Sequence, residues 1–143
     1  PDGGERVLDA AELELSYRHS WFTSRPGHLV TAAVFRLQRG DPAAIRARMD
    51  DLMARRKQKQ PLEYPSGGST FKRPEGSYAS ALIDRCGLKG RRVGGAMVSE
   101  KHAGFVINYQ NATCRDVLAL VELVKKEVLE QTGYTLECEI KLL

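Results

Sequence analysis

The stretch from Thr113 to Ile140, TCRDVLALVELVKKEVLEQTGYTLECEI, carries the clearest helix and strand patterns of the chain. Thr113 is a predicted N-cap, and Asp116, three residues later, can complete a capping box in place of the usual glutamate. Gly133 is predicted to end this helix, and apolar and charged residues then alternate to Leu143 as in a half-buried strand. Between the caps, apolar residues recur at helical spacing and predict a core stripe of Val117, Leu120, Val121, Val124 and Val128.

Weaker patterns upstream complete the predicted architecture. The tripeptide Gly40-Asp41-Pro42 is a strong helix start, with an aspartate as N-cap and a proline at the first helical position. A shorter helix is predicted from Ser77 to Cys86, and short strands joined by tight turns from Arg91 to Asn108. The β-branched and apolar run from Leu29 to Leu37 predicts another strand. This order of elements predicts an α+β fold, a small mixed sheet with helices on one face.

The length and composition limit the classes of protein that need consideration. A chain of 143 residues with 42% apolar and 28% charged residues is typical of one globular domain, or of one domain plus a piece of another. Its apolar runs are too short to span a bilayer, and no secretory signal opens it. The first residues, Pro1-Asp2-Gly3-Gly4, are expected to come from the middle of a longer protein.

Neither the cysteines nor the histidines form a metal-binding pattern. The three cysteines, Cys86, Cys114 and Cys138, are odd in number and contain no Cys-x-x-Cys pair, which argues against a disulfide framework and a zinc site. The histidines are widely spaced and no dinucleotide-binding Gly-x-Gly-x-x-Gly occurs. We therefore expect reduced thiols in a cytosolic protein and assign no metal.

The net charge of +4 permits two interpretations. A cluster of cations suggests a nucleic-acid or phosphate patch, or a helix C-terminus whose dipole favours positive charge. No aromatic residues interleave the cluster as stacking platforms would require, which favours the helix terminus. The cluster consists of Arg55, Arg56, Lys57 and Lys59.

A ten-residue run between two prolines, PSGGSTFKRP from Pro65 to Pro74, is the main candidate for a functional loop. Its two glycines let the backbone approach a ligand closely. Lys72 and Arg73 place positive charge beside the hydroxyl of Ser69. This arrangement suits an anionic ligand held against a serine that acts as a proton donor or as a nucleophile. The same residue types also fill ordinary surface turns. The lack of a Gly-x-Ser-x-Gly elbow argues against a hydrolase nucleophile.

This serine loop resembles that of the MurB family, the UDP-N-acetylenolpyruvoylglucosamine reductases of bacterial cell-wall synthesis. Three further stretches resemble the family in the same order: Ser16 to Ser20 (SYRHS), Gly87 to Phe105 (with GLKG and GGAMVSEKHAGF) and Leu136 to Ile140 (LECEI). The resemblance extends from about Leu13 to the C-terminus. Four ordered motifs are more specific than any one of them.

The resemblance implies roles for individual residues. Arg18 would help to hold the carboxylate of the enolpyruvyl group, since a guanidinium can make two parallel hydrogen bonds to a carboxylate. Ser69 would donate a proton to carbon. Periodicity alone cannot choose between the two glutamates of the last strand, but the family motif assigns the catalytic role to Glu139. Expected substrate-binding residues are Gly68, Lys72 and Arg73, where Arg73 replaces an asparagine of some relatives.

The resemblance also implies the organisation and the partners of the protein. Residues 1–40 would be the end of an FAD-binding domain and residues 41–143 the substrate-binding domain. The whole enzyme would use FAD, with NADPH as co-substrate and a UDP-sugar as substrate, in the bacterial cytoplasm, with no nucleic acid or membrane partner. This fragment would bind no FAD and be inactive alone, and its uncovered strand edge would favour self-association. The alternative is a non-catalytic basic α+β module that binds a nucleotide or nucleic acid.

Overall fold

The computed structural model describes residues 3–141, and the chain divides after Gly40 into two compact units. In the first unit, short 3-10 helices span Ala10–Leu13 and Trp21–Ser24. The predicted strand from Leu29 to Leu37 is wrong, because this run forms no strand and no bridge with any described residue, and Val34 is 99% exposed. A run of β-branched residues becomes a strand only where a second strand completes its hydrogen bonds.

The second unit begins with helix α1, Pro42–Lys59. The predicted start is confirmed, since the Asp41 carboxylate accepts hydrogen bonds from the backbone N–H groups of Ala43 and Ala44. Three cations occupy its last turn, where the helix dipole favours positive charge. Among residues 41–141 no other helix or strand packs along α1. Its apolar residues therefore stay about half exposed: Ile45, Met49, Leu52 and Met53.

The core of the second unit is a three-stranded sheet covered by two helices. Strands β1 (Arg92–Val93), β2 (Ala96–Val98) and β3 (Val106–Asn108) pair in sequence order, with Val93 opposite Ala96 and Met97 opposite Ile107. Both strand pairs are antiparallel, so the α+β class is confirmed while the sheet is not mixed. Short connections favour this result, because parallel neighbours need long crossovers.

Helices α2 (Ala79–Arg85) and α3 (Cys114–Thr132) pack together and cover one face of this sheet. The predicted capping box of α3 is confirmed, because Thr113 Oγ1 accepts from the Asp116 N–H at 3.1 Å and the Asp116 carboxylate accepts from the Thr113 N–H at 2.9 Å. Gly133 ends α3 with a φ of 74°. Four of the five predicted stripe residues are fully buried: Leu120, Val121, Val124 and Val128.

The last segment runs along the core, with Glu137 exposed and Glu139 half-buried. Leu136 is 1% exposed, and Cys138 and Ile140 pack against the same core, which confirms the predicted alternation. In place of the expected long strand, a single bridge joins Cys138 to Phe71 of the serine loop. Leu142 and Leu143, also assigned to this strand, lie outside the described residues. No helix within residues 3–141 is long and apolar enough to cross a membrane.

Candidate functional site

The serine loop and the last segment lie side by side as a short antiparallel ladder. The Lys72 N–H donates to the Glu137 carbonyl at 2.8 Å, and the Glu139 N–H donates to the Thr70 carbonyl at 2.9 Å. A Cβ on Gly67 would come within 3.1 Å of Ile140 Cγ2, so the glycine permits this close approach. The ladder therefore sets Glu139 opposite the residue that follows Ser69.

Ser69 is exposed at the end of this ladder. Gly68, just before it, has a φ of +83°, a conformation that favours glycine. The Ser69 hydroxyl donates to the carbonyl oxygen of Phe71 at 3.3 Å. This distance is well above the usual 2.7–2.8 Å of an O–H···O bond, so the bond is weak. The Ser69 proton can therefore be redirected to a ligand at little cost.

The two cations of the loop have partners within the protein. Lys72 Nζ lies 2.9 Å from Glu137 Oε2, and both side chains are substantially exposed. The Arg73 guanidinium stacks 4.1 Å above the ring centre of Tyr78, and its Nε donates to the Ser77 carbonyl. Both contacts are at the surface, where ion pairs contribute little net stability. An anion can therefore compete for both cations.

A cavity of about 280 Å³ adjoins this loop and shares the Tyr78 ring with Arg73. Lys89 and His102 also line it. His102 Nδ1 accepts from the Gly104 N–H at 3.1 Å, so the neutral imidazole carries its proton on Nε2. No sequence pattern indicated this cavity, because its lining residues come from the loop before α2, from α2 itself, from the turn between α2 and β1 and from the turn after β2.

A second cavity, of about 370 Å³, lies against the sheet face opposite α3. Its charged groups have partners of their own, because Lys101 pairs with Glu63 at 3.0 Å and Arg92 stacks on Tyr109 at 4.1 Å. No residue of the serine loop or of the last segment lines it. It is therefore separate from the ladder that carries Ser69.

Arg18 belongs to the other unit. It lies at positive φ, 55°, in a turn closed by reciprocal backbone hydrogen bonds between Ser16 and His19. Its guanidinium lies 5.6 Å from the centre of the Tyr17 ring, and the residue is exposed. The ladder thus brings together the loop residues and Glu139 within one unit. The approach of Arg18 to Ser69 and Glu139 stays a prediction.

The thiol of Cys138, which lies between Glu137 and Glu139 in sequence, is not activated as a nucleophile. Burial raises the pKa of Cys138, and burial likewise raises the pKa of Cys86. A protonated thiol is a poor nucleophile, so Cys138 is not a candidate for a nucleophile at this site. Residues 3–141 contain no cluster of His, Cys, Asp and Glu side chains that could hold a metal ion.

An α+β domain that presents a serine, two cations and a carboxylate on one ladder suits the handling of an anionic ligand. Comparison with known families makes this specific. Residues 60–143 match the family model of the UDP-N-acetylenolpyruvoylglucosamine reductase, C-terminal domain, and the chain belongs to this family. The family expected from the four motifs is thereby confirmed.

Individual relatives agree with this assignment. The chain is 55% identical over 135 residues to the UDP-N-acetylenolpyruvoylglucosamine reductase of Clostridium novyi (strain NT), which covers 94% of the chain and 44% of the relative. It is 52% identical over 141 residues to that of Geobacillus kaustophilus (strain HTA426), covering 99% and 46%. The chain thus spans about half the length of the curated relatives it matches.

A solved structure extends the likeness to the fold. The crystal structure of UDP-N-acetylenolpyruvylglucosamine reductase (MurB) from Thermus caldophilus is similar with a TM-score of 0.80 and 37% sequence identity. The match covers 99% of this chain and 49% of that one. The two units of this chain therefore occur together in a longer reductase of known structure.

Proposed function

We propose that this chain supplies the substrate-handling part of an enzyme that reduces UDP-N-acetylenolpyruvoylglucosamine to UDP-N-acetylmuramate in the bacterial cytoplasm. NADPH would be the reductant and FAD the hydride carrier, in the synthesis of peptidoglycan. The names of the relatives support the reductase class. The observation that carries the proposal is the ladder that pairs the residue after Ser69 with Glu139.

Substrate binding would use the cations of the serine loop. The substrate carries a diphosphate. Arg73 lies at the edge of the 280 Å³ cavity through its stack on Tyr78, and Lys72 precedes it in the same loop. Two fixed cations suit a diphosphate dianion better than a neutral sugar. The Tyr78 ring and the His102 imidazole offer an aromatic face and an N–H donor for the nucleoside part of the ligand.

The enolpyruvyl group would be held at the ladder. Arg18 would offer two parallel N–H groups to its carboxylate, and Glu139 would help to polarise it as negative charge develops on the adjacent carbon. Groups that are oriented before the reaction begins typically contribute a few kcal/mol each, about 3–4 for one removed donor. This step requires Arg18 to reach the ligand from the first unit.

Ser69 would complete the reduction by proton transfer. Addition of a hydride to the β-carbon breaks the carbon–carbon π bond and leaves an electron pair on the α-carbon. The Ser69 O–H bond then breaks, its proton forms the new C–H bond, and the resulting alkoxide takes a proton back from solvent. A hydroxyl is a very weak acid, and a carbanion or enolate is basic enough to accept its proton.

The starts of the two long helices, α1 and α3, do not fit the pyrophosphate of FAD. A dinucleotide pyrophosphate is usually held by free backbone N–H groups at a helix N-terminus. At the start of α1 the Asp41 carboxylate accepts from the N–H groups of Ala43 and Ala44, and at the start of α3 the capping box uses the N–H groups of Thr113 and Asp116. A bound pyrophosphate would have to displace these capping side chains at either helix. We therefore assign the flavin, and the hydride it supplies, to a part of the enzyme outside residues 3–141.

A chimera tests the proposal. This chain would replace the matching part of the Geobacillus kaustophilus reductase, and substrate-dependent oxidation of NADPH would be measured. We expect turnover that depends on UDP-N-acetylenolpyruvoylglucosamine. A folded chimera that holds flavin and accepts electrons from NADPH, yet never passes them to substrate, would contradict the proposal.

The nucleic-acid alternative has less support. Arg55, within the cationic cluster, is paired with Asp51 at 2.9 Å, and Arg56 bonds to Gln60. Titration of the chain with duplex DNA at several salt concentrations separates the two functions. Affinity that survives physiological salt and falls steeply at higher salt would favour the alternative.

A further inference from the structure

We propose that Thr70 is a positioning residue, whose buried hydroxyl fixes the serine loop against β3 and so sets Ser69 relative to Glu139. This inference rests on the proposed function, because it concerns the same proton-donating site. Thr70 lies within the serine loop, but the resemblance assigns it no role.

Thr70 connects three segments of the chain. Its N–H donates to the Gly104 carbonyl at 2.8 Å, and its carbonyl accepts from the Glu139 N–H at 2.9 Å. Its hydroxyl oxygen accepts from the Val106 N–H at 3.0 Å, across 36 positions of sequence. The side chain is buried with 2% exposure, whereas the adjacent Ser69 is exposed. The buried Thr70 thus immediately follows the exposed proton donor of the proposed reaction.

The Thr70 hydroxyl makes a hydrogen bond that no backbone group of Thr70 makes in its place. Val106 opens β3, and its buried N–H has the Thr70 hydroxyl oxygen as its partner. A buried donor that loses its partner is strongly unfavourable, whereas a made bond contributes modestly. Valine has nearly the shape of threonine but no oxygen. Thr70→Val therefore favours a shift of loop or strand that gives the Val106 N–H a new partner.

Thr70 is also connected, through Gly104 and His102, to the cavity of about 280 Å³ beside the loop. Gly104, which accepts from the Thr70 N–H, also donates its own N–H to His102 Nδ1. A Cβ on Gly104 would lie 3.1 Å from the His102 ring, so the glycine keeps this contact tight. Displacement of Thr70 is thus transmitted to Glu139 on one side and to the His102 wall on the other.

The test compares Thr70→Val with Thr70→Ser in the chimera, by rapid mixing of the prereduced enzyme with substrate. Misplacement of a reacting group by about 1 Å can cost on the order of 10²-fold, and we expect Thr70→Val to slow this step by roughly 10- to 100-fold. Thr70→Ser keeps the oxygen and should restore the rate to within a few-fold. The reduction of flavin by NADPH should change little, since it does not depend on proton donation by Ser69.

Hydrogen exchange at the Val106 N–H supplies the second measurement. We expect faster exchange in Thr70→Val than in Thr70→Ser, in samples with equal thermal unfolding. Equal exchange in both variants, or an equal loss of rate in both, overturns the inference. If Thr70→Val does not fold, Thr70→Ala replaces it in the same comparison. If the unsubstituted chimera does not reduce substrate, the proposed function fails, while exchange at Val106 still decides whether Thr70 anchors the loop.

Discussion

The backbone N–H of Glu139 donates to the carbonyl oxygen of Thr70 at 2.9 Å, so the last segment of the chain is bonded to the residue that follows Ser69. Glu139 and Ser69 are far apart in sequence, yet one hydrogen bond and the adjacent Phe71–Cys138 bridge hold their backbones together. The proton donor and the carboxylate of the proposed reaction therefore share one rigid ladder, and substitutions on this ladder should separate their roles.

Replacement of Ser69 by alanine should stop proton donation without disturbing flavin reduction. Loss of one general acid typically costs roughly 10²–10⁴-fold, and this loss should fall on the reoxidation of reduced flavin by substrate. Stopped-flow absorbance of the chimera resolves the two half-reactions. Ser66→Ala is the matched control in the same loop, since Ser66 Oγ accepts a long bond of 3.4 Å from the Gly68 N–H. An unchanged reoxidation rate in Ser69→Ala removes Ser69 from the mechanism.

The two glutamates of the last segment should respond differently to the same change. Glu139→Gln should lower the rate of substrate reduction by at least about tenfold, as expected for loss of a group that acts on developing charge. Glu137→Gln should leave this rate nearly unchanged, because Glu137 pairs with Lys72 on the surface and such pairs contribute at most about 1 kcal/mol. The change Glu137→Gln should also lower KM for the substrate, because it frees Lys72 to bind the diphosphate. A larger loss of rate in Glu137→Gln than in Glu139→Gln would assign the catalytic role to Glu137 in place of Glu139.

The capping box of α3 should make stability depend on pH in acid. The N–H and the hydroxyl of Thr113, in that order of effect, lower the pKa of Asp116 from its ordinary value of 3.8. A carboxyl group with a lowered folded-state pKa stabilises the protein above its unfolded pKa, and this contribution is lost as the pH falls through the folded pKa. The difference in Tm between the unsubstituted chain and Asp116→Asn should thus be constant near neutrality and shrink below about pH 3.8.

Thermal unfolding from neutral pH to about pH 2.5 measures this difference. Asp50→Asn is a suitable control, because Asp50 pairs with the exposed Arg46 on the surface of α1. A difference for Asp116→Asn that persists unchanged in strong acid would show that the carboxylate charge does not stabilise the helix terminus.

The three cysteines should react in a fixed order. Burial raises the pKa of Cys86 and of Cys138, whereas Cys114 is exposed at the start of α3. Since the thiolate is the reacting form, a disulfide reagent at pH 8 should modify Cys114 first, and Cys114→Ser should remove the fast phase. Mass spectrometry identifies the modified residue. Modification of Cys138 in the fast phase would contradict the buried position of the last segment.

The helices could be predicted from the sequence because their signals are local. Asp41 with Pro42 starts α1, and Thr113 with Asp116 starts α3, each through hydrogen bonds that span three residues or fewer. The run from Leu29 to Leu37 has equally suitable composition for a strand, but a strand depends on a partner that composition does not reveal. The predicted strand is therefore wrong although its residues fit one well.

The site could be predicted only through its motifs. The contact between Lys72 and Glu137 joins residues 65 positions apart, and that between Thr70 and Val106 joins residues 36 apart. Contacts of this range depend on how the core packs, and no spacing rule indicates them. The motifs named residues expected to act on a ligand. Thr70 lies within one of these motifs, but its buried contact with Val106 is not indicated by the sequence.

The 143-residue chain alone should not bind FAD tightly. A bound pyrophosphate needs several backbone N–H groups aimed at it. At the start of α1 two of them already bind the Asp41 carboxylate, and at the start of α3 the capping box of Thr113 and Asp116 uses two more. Titration of FAD fluorescence with the chain should show no saturable quenching at micromolar concentrations, while the chimera should retain yellow flavin after gel filtration. Asp41→Ala and Asp116→Ala in the chain would free these N–H groups and serve as controls for weak binding at a helix terminus. Saturable, one-to-one quenching by the unsubstituted chain would mean that residues 3–141 contain a flavin site, and that the hydride carrier must be assigned to this part of the enzyme.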